Sequence, residues 1–451
     1  MTKDIIRIID WKSFLEHSIV KAFIENHDET EFIKNIMIFM EGDEDFRKTV
    51  GVDSLTDQDI MVIINYINTV NSRRRFLKGT AALAVLAATG LKGDNKSTAP
   101  VQTSYHGKLP VKGIGYDIGT IYTPTFITNS EITPKLMDLH MNVIKNKLNC
   151  NAVRIFGEDI DRLIECSKIA MVYGLQVWFS PRLINGSEAE TINYIKKCAV
   201  DAEKLRLIYP NIVFSIANEL TLDMNGFIPG DTYLERGRNL LKDAIMNKIK
   251  SIFTNDDMSN RLNKLLKIIV SEVRQYFKGL ISYGAGNWEN VDWNFFDIVG
   301  INHYLNAINK ITYKKTLREL HNFKKPIAVL EFGCGSYKGA ELKGGSSYDI
   351  INWNASRPEI IGNKTKDENV QANYILKLLD IFVKEGVYAS FIHTFIETHY
   401  ITDDENPKHD LDTASFNVIK VYPKGHPKSY FDGHIIPKKS FDAIANFYVK
   451  H

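Results

Sequence analysis

The chain has 451 residues, of which 44% are hydrophobic and 24% charged, and its formal net charge is +2. These are ordinary globular values with ample material for a large core. The near-neutral balance, with no basic stripe interleaved with aromatics, excludes a nucleic-acid partner, and the four cysteines show neither disulfide nor zinc-ligand spacing, which leaves buried free thiols.

The first 70 residues carry helix-period apolar positions over Asp10 to Phe23, Glu31 to Met40 and Asp57 to Val70, with caps at Ser54 and Thr56. They read as a small helical N-terminal leader. Residues 71–109 then form a signal-like segment and linker. "SRRRFLK" at Ser72 to Lys78 resembles a twin-arginine export motif, carried by Arg73, Arg74, Phe76, Leu77 and Lys78. The apolar run from Gly79 to Leu91 is shorter than the about 20 residues of a membrane span, so no stable span is expected. The resemblance implies the twin-arginine export machinery as a partner and a periplasmic or extracellular location. The competing reading is a helix-rich domain whose basic turn only mimics a signal, in a protein that stays cytoplasmic.

From residue 110 to 451 strands and helices alternate. Val111 to Gly119 is the first strand, and a helix follows with Thr133 as N-cap and Pro134 in its first turn. Asn151 to Gly157 is the second strand, and a helix closed by Gly174 leads to the third, Leu175 to Pro181. A long helix over Glu188 to Ile208 precedes the fourth strand, "IVFSIANEL", which begins at Ile212. After a helix running through Val273 come strands at Leu280 to Gly286, Phe296 to Tyr304, Pro326 to Gly333 and Ala389 to Phe395. Helices at Gln371 to Glu385 and Ser440 to Val449 complete the pattern. Eight short apolar strands separated by helices predict parallel pairing and an α/β fold, a (β/α)8 TIM barrel. An open doubly wound sheet is the alternative, but no glycine-rich phosphate fingerprint follows the first strand.

In such a barrel the strand ends carry the chemistry. The fourth strand ends in Asn218-Glu219 and the seventh in Glu331. This pairing resembles the clan A glycoside hydrolases, retaining (β/α)8 enzymes, over the chain from Val111 onward. The resemblance implies that Glu219 is the acid/base, Glu331 the nucleophile and Asn218 the ligand of the sugar 2-hydroxyl. It further implies that Arg154 lies beside the nucleophile and that His303 and Tyr304 are its polar aromatic neighbours. The substrate would be a carbohydrate, with no cofactor and no metal. Phe395 stands where the clan often has a tryptophan platform, and Trp288 is a second candidate for that role. Asp117, after the first strand, is a candidate for a sugar-hydroxyl contact.

A strand's pleat alone cannot aim both Asn218 and Glu219 into one cleft, so a twist or bulge is expected there. Glu397 adds a carboxylate that the basic mechanism does not require, and the charged stretch from Asp403 to Asp412 reads as a solvated loop. Two other functions compete: a barrel of the same ancestry that binds carbohydrate without cleaving it or serves defence, and a phosphate enzyme using Gly333, Gly335 and Gly339. The export motif has a direct test. Replacing Arg73 and Arg74 by lysine should strand the protein in the cytoplasm, as read by cell fractionation; an unchanged distribution would remove the motif's role.

Overall fold

The computed structural model describes residues 104–240 and 257–451. The leader helices and the Arg73–Arg74 segment lie outside the described residues. Eight strands make one parallel sheet: β1 (Val111–Asp117), β2 (Ala152–Gly157), β3 (Gln176–Pro181), β4 (Ile212–Asn218), β5 (Leu280–Gly284), β6 (Val299–Asn302), β7 (Ile327–Phe332) and β8 (Ala389–Ile392). Their order is β5-β4-β3-β2-β1-β8-β7-β6, and the two end strands meet. Ala285 bridges Ile301 in parallel, its N–H donating to Gly300 O at 3.1 Å while Asn302 N–H donates to Ala285 O at 2.8 Å. The sheet therefore closes on itself, as the eight-fold alternation predicts, into a (β/α)8 barrel.

Among the described residues, the longer helices that surround the sheet are α1 (Pro134–Asn146), α2 (Ile160–Val172), α3 (Glu188–Ile208), α4 (Asp257–Tyr276), α5 (Tyr313–Leu320), α6 (Glu368–Lys384) and α7 (Lys439–Lys450). Only a 3-10 turn, Trp293–Phe295, links β5 to β6. The caps follow from sequence. Thr133 accepts the Leu136 N–H ahead of Pro134, and Ser187 with Glu190 forms a reciprocal capping box on α3. Helix α6 starts about one turn earlier than its apolar pattern suggests, because Asp367 caps it by accepting from Asn369 N–H. All four cysteines are buried and free, and no helix among the described residues is long and apolar enough to cross a membrane.

Two apolar layers result. Ala152, Trp178, Val213, Ile298, Leu330 and Phe391 fill the barrel interior, while a larger cluster packs strands against helices. Gly113 makes room inside, since a Cβ there would lie 2.3 Å from the Phe391 ring. Side chains alternate along a strand, so Arg154 and Ser180, two positions beyond Ala152 and Trp178, face the same interior one layer higher.

That alternation breaks where the chemistry was expected. The β4–β5 register shifts between Ser215 and Asn218, and the β6–β7 register shifts so that Asn302 lies opposite Glu331. The β7–β8 register shifts too, between Ser390 and Ile392. A bulge adds one residue and turns the following side chains to the other face. Leu330 already points inward, so an unbulged β7 would send Glu331 outward.

One loop departs from expectation. The stretch from Asp403 to Asp412 is not wholly solvated: Asp410 and Asp412 are buried. Lys366 binds them at 2.7 and 2.8 Å, and the fully buried Lys438 reaches Asp412 at 3.1 Å. Charges this deep persist only when paired, and the two lysines come from segments far away in sequence.

Candidate active site

The upper rim of the barrel is built around the end of β4. Asn218 lies opposite Gly284, where a Cβ would sit 2.2 Å from Asn218 Oδ1, so only glycine leaves room for the amide. Glu219 adopts a left-handed backbone, φ 41° and ψ 49°. This conformation costs a non-glycine residue about 1 kcal/mol or more. Hydrogen bonds from β5 and its loop hold it. Glu219 N–H donates to Gly284 O at 2.7 Å, Leu220 N–H to the Tyr283 hydroxyl at 2.8 Å, and Thr221 N–H to Glu289 Oε1 at 3.0 Å. Glu289 itself is buried and also accepts from the Thr221 hydroxyl, Tyr283 and Gly286.

A chain of side-chain hydrogen bonds then joins the two glutamates. Arg154 Nη1 donates to Glu331 Oε1 at 2.8 Å, and its Nη2 donates to Asn218 Oδ1 at 3.0 Å. Asn302 Nδ2 donates to the same Asn218 oxygen at 3.2 Å and to Glu219 Oε1 at 2.8 Å. Ser180 takes the Arg154 Nε–H at 3.2 Å, and Tyr304 donates its hydroxyl to Glu331 Oε2 at 3.1 Å. Arg154 is 1% exposed.

The two carboxyls titrate in opposite directions. Burial raises Glu219 well above the usual carboxylate range, and the Glu331 charge adds to this. Burial acts on Glu331 too, but the positive charges of His393 (when protonated), Arg154 and Arg182, with the Arg154 hydrogen bond, outweigh it and hold Glu331 below the usual range. The shifts divide the pair, favouring the ionised form of Glu331 and the protonated form of Glu219.

The remaining expected residues scatter. Trp288 is half-buried, and its indole N–H donates to Thr221 Oγ1 at 2.9 Å, two residues beyond Glu219. His303 turns away from the carboxyls: its ring stacks on Tyr313 at 3.8 Å and Nε2 meets Tyr313 O at 3.1 Å. Asp117 is buried and is taken up by Gly119 N–H and the hydroxyls of Thr120 and Thr128, which fold the loop after β1. The expectation that Phe395 forms a sugar platform is corrected. It is 0% exposed and packs against Tyr116 and His140, because β8 ends at Ile392 and the chain dives back under the rim. The glycine-rich loop after β7 is not an open phosphate cradle either. Gly335 N–H is taken by Ser347 and Gly339 N–H by Glu341, while Gly333 lies against His393 O.

Two residues that hold the site together were not expected from the sequence. Asn302 ends β6, at the same kind of strand-end position as Glu219 and Glu331. Arg182 immediately follows β3 and forms a bidentate pair with Asp223, 2.9 Å on each side, with the Tyr122 hydroxyl at 3.1 Å.

Fold and site together define a (β/α)8 barrel whose rim carries two glutamates, Glu331 buried and Glu219 half-buried, joined by hydrogen bonds through Arg154, Asn218 and Asn302. No protein-family model and no curated protein matches the chain. Among solved structures, a GH113 β-1,4-mannanase is 15% identical with a TM-score of 0.49, covering 76% of this chain and 100% of that one. The GH113 β-mannanase AaManA from Alicyclobacillus acidocaldarius is 11% identical with a TM-score of 0.48, covering 77% and 99%. A β-glucuronidase from an uncultured Clostridium sp. is 14% identical with a TM-score of 0.43, covering 76% of this chain and 51% of that one. These likenesses are remote, and what the site does follows from its own geometry.

The electrostatic coupling has a sign. Replacing Glu331 by glutamine removes the anion that helps hold the proton on Glu219, so the Glu219 pKa should fall by about one unit or more. Carboxyl-carbon NMR titration of Glu219 measures it. An unmoved or raised value would mean that the two groups do not share a field.

Proposed function

We propose that the protein is a retaining glycoside hydrolase that cleaves a β-linked glycan or glycoside by double displacement. The observation that carries this reading is the hydrogen-bonded chain that joins two carboxyls in one cleft, Glu331 against Arg154 and Glu219 linked to it through Asn218 and Asn302, with Glu331 shifted toward its ionised form and Glu219 toward its protonated one. Glycoside cleavage with retention requires that pair of states, with the carboxyls about 5–5.5 Å apart across the anomeric carbon.

In this mechanism Glu331 attacks the anomeric carbon while Glu219 gives its proton to the departing oxygen. A covalent glycosyl ester on Glu331 results, and negative charge leaves that carboxylate. The field that kept Glu219 protonated weakens as a consequence, so Glu219 can take a proton from water as that water attacks the anomeric carbon, breaking its bond to the Glu331 oxygen and freeing the carboxylate. Tyr304 and Arg154 hold the two Glu331 oxygens, leaving the carboxylate little freedom to turn. Asn218 Nδ2 is buried and has no hydrogen-bond partner. A buried amide N–H₂ without a partner costs stability, and a sugar 2-hydroxyl would complete it. Trp288, fixed through Thr221 beside the acid, offers a ring face to the sugar on the leaving-group side.

Glu331→Gln should reduce turnover of an activated aryl glycoside by about a thousandfold or more. Azide added to Glu331→Ala should restore product, because a small anion replaces the missing nucleophile. Asn218→Ala should lose orders of magnitude on the natural glycoside and far less on its 2-deoxy analogue. Steady-state kinetics decide the matter. Full activity in Glu331→Gln would end the nucleophile assignment, and equal losses on both substrates would make Asn218 structural.

A further inference from the structure

Glu397 lies five residues past β8, on a segment whose backbone is fixed. Its N–H donates to Asn417 Oδ1 at 2.8 Å, and Asn417 Nδ2 donates back to Glu397 O at 3.1 Å. The next residue, Thr398, is held by Asn129 Oδ1 at 2.8 Å. The Glu397 carboxyl is half-buried, yet among the described residues it makes no hydrogen bond and no ion pair. Asp117 from β1 and Glu331 from β7 act on it with like charge, and Arg182 from the end of β3 acts with opposite charge. Tyr122, Tyr348 and Tyr400 lie within its field.

Arg182 is already committed. Asp223 accepts from its Nε and one Nη2 hydrogen, Tyr233 accepts from the other Nη2 hydrogen and Tyr122 from Nη1, so its charge is paired and most of its donors are used. A rigidly mounted, half-buried acid with no protein partner leaves its carboxyl open to a ligand in the cleft. Among the described residues, two polar atoms of this cleft, Asn218 Nδ2 and His393 Nδ1, are buried and lack a partner, which is costly unless a ligand completes them. A row of rings rims the same side: Tyr122 against Phe126 at 5.9 Å, Phe126 against His399 at 5.3 Å, and His399 against Trp353 at 5.9 Å. Phe126 and Trp353 are exposed, with free faces for the apolar side of a sugar.

We propose that Glu397 is a specificity-determining residue whose carboxyl grips hydroxyl groups of an uncharged sugar ring seated against Glu331, so that neutral glycosides are accepted and uronides rejected. The proposal rests on the glycosidase reading of the same cleft. Burial, then the charges of Asp117 and Glu331, push Glu397 up to about 8. At neutral pH it therefore keeps its proton and presents one donor and one acceptor, the pattern that neighbouring sugar hydroxyls complement. A sugar carboxylate would instead meet Asp117, Glu331 and Glu397. The two arginines nearest are already paired, Arg154 with Glu331 and Arg182 with Asp223.

The test uses the full chain, a panel of neutral aryl β-glycosides and the matching aryl uronides. Glu397→Ala should lower kcat/KM on the best neutral glycoside about ten- to a hundredfold, mainly through KM. Glu397→Gln, which keeps a donor and an acceptor, should recover most of that loss. In the wild type KM should rise as pH passes about 8, where Glu397 loses its proton, and in Glu397→Gln it should stay flat. The KM profile of the glutamine variant decides the proposal if the alanine variant does not fold. Wild-type turnover with KM unchanged in both variants, or with uronides preferred, overturns the role of Glu397 and leaves the glycosidase reading standing. A wild type that turns over nothing in the panel and is not impaired by Glu331→Gln on any substrate overturns both.

Discussion

A guanidinium inside a barrel must be compensated, and how Arg154 is compensated determines the rest of the site. It sits one layer above the apolar plug of Trp178 and Leu330 and gives one hydrogen bond to the nucleophile candidate, one to Asn218, and others to Ser180 and the Leu330 carbonyl. Breaking a buried pair by removing one partner costs about 3–5 kcal/mol. Glu331 and Asn218 are therefore locked as acceptors. Since Asn218 must present its oxygen to Arg154 and Asn302, its N–H₂ is left facing the cleft. The cation thus fixes an ionisation state on one strand and an amide orientation on another.

The backbone bears the cost of this arrangement. Glu219 stays in a left-handed conformation only because Tyr283, Gly284 and Glu289 take up the N–H groups around it. Bulges on β4 and β7 turn Asn218 and Glu331 inward from positions that an unbroken pleat would send outward, and the left-handed turn at Glu219 then keeps the next carboxyl in the same cleft. The acids with raised pKa add a pH dependence. Burial raises Glu219, Glu289 and Glu397. An acid raised in the folded state stabilises most below its unfolded pKa, and that contribution is lost as pH rises through the folded value. Glu289 and Glu397, at about 7 and about 8, place that loss from mildly acidic to mildly alkaline pH. Glu331, lowered by its cations, works the other way and loses its contribution in acid.

Much of this was legible in the chain. Strand and helix alternation follows from local apolar period, and Asn218, Glu219 and Glu331 stand out as polar residues at the ends of apolar strands, whereas Arg154, inside β2, and Tyr304 were reached through the family resemblance. Phe395 and His303 were misread for one physical cause. Which face a side chain takes after a strand depends on bulges and on the exact end of the ladder, and neither is encoded in apolar period. Phe395 looked like the last residue of β8, but the ladder stops at Ile392 and the ring goes to the core. His303 follows the β6 end and turns toward Tyr313, while Asn302, one residue earlier, makes the contact that matters. Asp410 and Asp412 looked solvated because Lys366 and Lys438 reach them across the fold.

The most direct test of the central claim is covalent trapping. A 2-deoxy-2-fluoro aryl glycoside of the sugar that the protein turns over slows breakdown of the glycosyl ester, and digestion followed by peptide mass spectrometry locates the bond. The account predicts time-dependent loss of activity with one sugar attached to the peptide containing Glu331. A sugar found on another carboxyl, or continued turnover of the parent glycoside with no peptide labelled, would contradict it.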